Sequence, residues 1–264
     1  TVYVFHVYYS TRVKKYLFCL FFLLLIPILI YNRGMLLISL CCFLFVYIAS
    51  IKRIRLKFIS IISIIIFIIL YFFGVLGNYR INNTSSNEYF MKEARANDTF
   101  LNSGIPKEFM WSYIYISAPL ANFQNTIHSK PAINDNVTSF VCYELLPDFI
   151  SKRVVLLVKT KQPKIDRVAY FLTVGSVFSG AYVELGWIGV YLMFIVISLF
   201  VFVYLMFLKT NNKYYITGIS ILCTFVVFNT FNNMIYFSGI SFQLVYPLLL
   251  SCFSVKFRDN SLVK

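Results

Sequence analysis

The 264-residue chain is 59% hydrophobic and only 13% charged, and it carries 29 Phe and 20 Tyr. A soluble domain averages about 45–50% apolar and roughly 25% charged. This composition, with a mean hydropathy of +0.76, excludes a soluble enzyme, a disordered protein and a secreted disulfide scaffold. The formal charge of +14 fits orientation charges on cytoplasmic loops better than a nucleic-acid surface.

In chain order, Val2 to Tyr9 is apolar and aromatic and is followed by Arg12, Lys14 and Lys15. Basic residues after an apolar stretch do not make a signal peptide. The stretch reads as the end of a membrane helix, and the chain as the C-terminal part of a larger protein. Six runs are then predicted to span a bilayer: about 16–31, 34–51, 57–76, 185–208, 214–231 and 240–256. They divide the chain into a helical part (1–76), a large polar segment (77–184) and a second helical part (185–264). The expected fold is all-α and polytopic, with one large outer loop.

Charge supports six crossings. With Arg12, Lys14 and Lys15 in the cytoplasm, that side also receives Lys52, Arg53, Arg55, Lys57, Lys209, Lys213, Lys256, Arg258 and Lys264, against one acid, Asp259. The other side holds Arg33 and the long loop, which has 11 basic and 9 acidic residues. All five internal loops alternate as the positive-inside rule requires.

The long loop carries Trp111, Tyr113, Tyr115, Phe123, Phe140, Tyr143 and Phe149, too many aromatics for disorder. Ser112 to Ile127 is predicted to be an amphipathic helix on the membrane, bent at Pro119. Val168 to Tyr182, with Gly175, Ser176, Ser179 and Gly180, is too short and small-residue-rich to cross, and reads as a surface or re-entrant segment.

Six cysteines (19, 41, 42, 142, 223, 252) show no CxxC spacing, and no metal or redox role is assigned. Nucleotide, dinucleotide, HExxH, Gly-x-Ser-x-Gly and DxD signatures are absent from the sequence, so no metal and no cofactor is expected. Ionisable residues at membrane depth are functional candidates. Arg33 lies in the tight Tyr31–Gly34 connection, Arg80 just beyond the third run, and Glu184 where the fourth begins. Asn229, Asn232 and Asn233 end the fifth run, and His128 is the only histidine of the outer loop.

The succession of a short helix, Asn32-Arg33-Gly34, a helix, a basic turn, a helix into a large outer loop, and Glu184-Leu185-Gly186-Trp187-Ile188-Gly189 resembles the Wzy-type O-antigen polymerases. It resembles the O-antigen ligases more distantly. Ligases characteristically carry a histidine where the loop returns to the membrane; Tyr170 to Tyr182 has none, which favours polymerase. The resemblance implies a metal-independent glycosyltransferase at the periplasmic face of the bacterial inner membrane. It would transfer a growing glycan from undecaprenyl pyrophosphate to a lipid-linked repeat unit, with a flippase and a chain-length regulator as partners and no nucleic acid. Arg33 and Arg80 would contact the pyrophosphate, because a guanidinium matches phosphate oxygens in bidentate fashion. Glu184 would orient or deprotonate the acceptor hydroxyl. Trp111, Tyr113 and Tyr115 would stack on sugars, with His128, Asn232 and Asn233 as further binding residues. The competing readings are a ligase joining glycan to lipid A core and a lipid-linked oligosaccharide flippase.

Overall fold

The computed structural model describes residues 1–264 except 31–32, 52–55, 83–87, 95, 130–132, 134–135, 170, 211 and 260–264, and backbone alone at 33, 56–59, 79–82, 88–89, 93 and 252–259. The described chain is helical and holds no strand. Its elements are α1 (Val2–Thr11), α2 (Lys14–Leu29), α3 (Arg33–Ser50), α4 (Leu56–Asn82), α5 (Glu88–Glu93), α6 (Asp98–Leu101), α7 (Phe109–His128), α8 (Val137–Phe140), α9 (Asp148–Val158), α10 (Val177–Phe207), α11 (Tyr215–Phe228) and α12 (Ser238–Asp259). A single π turn, Val141–Leu145, extends α8.

Three apolar cores organise these helices, the smallest being Phe140, Val177, Ala181 and Met193 between α8 and α10. In the first, α3 packs along α11, and α11 along α12, with α1 seated on α3. Cys42, Val46, Ile221, Phe225, Ile240 and Leu244 fill the seam. Polar pairs pin it: Cys42 Sγ donates to Thr224 Oγ1 at 3.2 Å, and Tyr204 of α10 donates to the Leu244 carbonyl at 3.0 Å. His6 Nδ1 lies 3.2 Å from Thr217 Oγ1 and ties α1 to α11.

The second core joins α4 to α7. Gly74 and Gly77 remove side chains from one face of α4, so the Glu108 carbonyl and the Trp111 ring press directly on its backbone. Trp111 is buried and stacked on Phe90 at 3.6 Å between centroids. It donates from Nε1 to Asn78 Oδ1 at 2.7 Å. The third apolar run therefore continues as helix past 76, to Asn82.

Outward surfaces are apolar. Phe18, Phe22 and Leu29 on α2, Ile64 and Phe67 on α4, and Phe194, Phe202 and Met206 on α10 are all exposed. Patches of this extent mark surfaces made for a partner or a membrane. Two described stretches, Ser60–Asn78 and Val177–Phe207, are long and apolar enough to cross a membrane, and three shorter apolar helices accompany them.

Candidate functional site

The second long apolar helix, α10, is broken near its start. Leu185 (φ −132°, ψ 15°) and Gly186 (φ 60°, ψ −146°) leave helical geometry. Gly186 alone among the described glycines has positive φ, a conformation that L side chains adopt only at a cost. Gly189 then lets the main helix close on the Ala181 carbonyl. From Trp187 to Phe207 the helix is roughly 32 Å long at 1.5 Å per residue, the thickness of a bilayer's hydrocarbon core. The short segment before the break is buried through Ser179, Gly180, Ala181, Tyr182, Val183 and Glu184. Ser176 caps it by accepting from the Phe178 N–H, and Asn229 O accepts from the Val177 N–H at 3.1 Å.

Asn122 holds the strap that leads into this segment. Its Oδ1 accepts from Val168 N–H at 2.9 Å, and its Nδ2 donates to the carbonyls of Leu172 and Val174 at 2.9 and 2.7 Å. Phe123, on the next position of α7, contacts the Phe178 and Tyr182 rings.

Two buried carboxyls are held at this segment. Glu184 is fully buried, and its Oε1 lies 2.7 Å from Ser139 Oγ. The Ser139 backbone N–H is in turn held by Asn136 at 3.0 Å. Glu144, delivered by the π turn, is also buried. It lies against Gly180, where a Cβ would collide with its Oε1. Asn233 Nδ2 donates to Glu144 Oε2 at 2.9 Å and to the Glu144 carbonyl at 2.8 Å. Asn233 is itself fixed, because its Oδ1 accepts from the Ile235 and Tyr236 N–H groups. Gly180 and Glu184 stand four residues apart, on one helix face.

Burial pushes the Glu144 carboxyl up from its ordinary 4.5 to about 8; the Asn233 amide opposes the shift and the Glu184 charge adds to it. A carboxyl raised toward neutrality in this way is suited to proton exchange with a hydroxyl.

The sequence-predicted residues divide. Glu184 and Asn233 come together here, while Asn232 is exposed and its Oδ1 accepts from the Asn233 N–H at 2.9 Å. Trp111 belongs to the α4–α7 core, and Tyr115 packs on Phe73 and Trp111 beside it. Tyr113 faces outward and His128 is exposed at the end of α7. Arg33 begins α3 and Arg80 lies in the last turn of α4; their side chains lie outside the described residues. Glu144 was missed by the sequence reading. Its signal was an acid inside the apolar stretch Phe140-Val141-Cys142-Tyr143-Glu144-Leu145-Leu146.

Among the described residues no group of three or more His, Cys, Asp or Glu could hold a metal ion. The chain matches no family model, no curated protein and no solved structure.

Proposed function

We propose that this chain belongs to a surface-glycan polymerase of the Wzy type, crossing the bacterial inner membrane six times with residues 77–184 on the periplasmic side. The observation that carries the proposal is the buried Glu144–Glu184 pair at the broken start of α10. In this reading the break marks the membrane boundary, and a polyprenyl tail in the bilayer presents its pyrophosphate there to a sugar acceptor. The acceptor hydroxyl attacks the anomeric carbon of the donor glycan, and the bond from that carbon to the pyrophosphate oxygen breaks. The electron pair leaves with undecaprenyl pyrophosphate, whose charge Arg33 and Arg80 stabilise as it develops. Glu184 takes the hydroxyl proton, with the Glu144 carboxyl buried nearby.

The test uses purified chain with a synthetic undecaprenyl-pyrophosphate repeat unit, products being resolved as a glycan ladder. The wild type is expected to extend the ladder, and Glu184→Gln to slow it by about 10²–10⁴-fold, the usual worth of a general base. A full-rate ladder from Glu184→Gln removes that role, and no ladder from the wild type removes the polymerase reading.

One observation favours a second reading, a proton-coupled carrier of lipid-linked oligosaccharide: two acids, Glu144 and Glu184, are buried in the same part of the chain, and burial pushes the Glu144 carboxyl up. Proton flux on substrate addition, without glycan extension, would select it.

A further inference from the structure

The segment Asp148–Arg167 is built unlike the rest of the loop. It carries Lys152, Arg153, Lys159, Lys161, Lys164 and Arg167 against two acids, Asp148 and Asp166, and all six bases are exposed. Both acids are engaged within the protein. Asp148 accepts from Lys152 at 2.9 Å, and Asp166 accepts from Ser129. The positive charge is thus left facing outward.

The same segment exposes apolar surface. The root of α9 is packed, through buried Ser151 and a Phe149–Phe242 ring contact at 4.7 Å, and Val154 and Val155 are partly buried. Beyond it Val154, Val155, Leu156, Leu157 and Val158 run on, with Leu156 78% and Leu157 82% exposed. Two bases precede this apolar run and two closely follow it. An apolar helix end ringed by bases is the pattern of an interfacial anchor.

Its position agrees. The Asp148 N–H donates to the Tyr236 carbonyl at 2.8 Å, and the Ser238 hydroxyl and Lys152 hold the Asp148 carboxyl below its ordinary value. Both Ser238 and Phe242 lie in the first turns of α12, whose outward residues Phe242, Val245, Tyr246 and Leu249 are exposed and apolar. So α9 leaves the bundle at the level where the apolar surface of α12 begins.

We propose that α9 and the basic strap after it dock on the bilayer surface, Leu156 and Leu157 entering the acyl boundary and Lys159, Lys161, Lys164 and Arg167 binding anionic phospholipid headgroups. The docking anchors the strap that continues into Asn122's clamp and the segment bearing Glu184. It rests on the chain being a membrane protein and is independent of the glycan chemistry. Each base near an anionic surface contributes about fivefold in binding.

The test is hydrogen–deuterium exchange of the full chain in nanodiscs of phosphatidylcholine alone, or with roughly a quarter phosphatidylglycerol. Amides of 150–159 are expected to exchange about tenfold more slowly in the anionic discs, while 98–107 is unchanged. Replacing Lys159, Lys161, Lys164 and Arg167 together by Gln is expected to abolish the difference, with protection of α4 and α7 reporting an intact fold. Equal exchange in both lipids, slow or fast, overturns the proposal. So does protection that appears only when a polyprenyl pyrophosphate is added and never with phosphatidylglycerol.

Discussion

A carboxyl withdrawn from water beside a second carboxyl favours its neutral form, and Glu144 is held that way at about 8. Its folded pKa lies above the unfolded value, so the folded state binds more protons between them. The stability this gives is fully present below about 4.5 and is lost as pH rises through about 8. The detergent-solubilised protein is accordingly expected to melt at a lower temperature at pH about 9 than at about 5. Glu144→Gln, which keeps an oxygen for Asn233, is expected to flatten that dependence; an unchanged slope in the variant would show that Glu144 is not the titrating group. Glu184 was legible in the sequence because it opens an apolar run between small residues. Glu144 showed only as an acid inside an apolar stretch, because what buries it is an asparagine 89 positions away and a glycine whose missing side chain makes its room. Neither neighbour can be read from local pattern.

Elements were legible as far as their apolar length defined them. The run at 34–51 is α3, Arg33–Ser50, within a residue. The run expected from 185 begins at the break in α10, and the helix before it, from Val177, escaped because its apolarity serves protein contacts. The loop aromatics show the same limit. Trp111 has the exposed-looking setting of a sugar platform, but Gly74 and Gly77 clear the face of α4 on which it lies. The spacing of those glycines is visible in the sequence; the helix they receive, some thirty residues onward, is not. Close backbone approach makes α4–α7 packing intolerant of one methyl. In Gly74→Ala the new carbon would meet the Glu108 carbonyl, and the two helices must separate. A loss of about 1–3 kcal/mol is expected, read as a lower melting temperature and a red-shifted Trp111 emission in a Trp187→Phe background. Native emission from Gly74→Ala would show that the groove has slack.

At the scale of the molecule the question is how many helices cross. Helix length alone is indecisive. The α11 helix, Tyr215–Phe228, is roughly 21 Å long, short of a hydrocarbon core about 30 Å thick, although the surrounding run read as a span. Its burial explains the shortfall: Gly218, Ser220, Ile221, Leu222, Thr224 and Phe225 are covered by neighbouring helices, so its ends answer to protein packing rather than to lipid. Charge provides the independent constraint. Twelve bases and one acid fall on one side only if every one of six runs crosses, and removing any single crossing would invert every loop after it. Sidedness therefore tests the whole arrangement at two points. A protease site inserted at Gly104, which has open space around it, is expected to be cut from outside in spheroplasts. One inserted beside exposed Lys209, in the turn between α10 and α11, is expected to be cut only after permeabilisation. The two positions flank one crossing, α10, so cleavage of both from one side would mean that α10 does not traverse the bilayer. It would also remove the reason for reading the break at Gly186 as the depth at which Glu184 meets the membrane boundary.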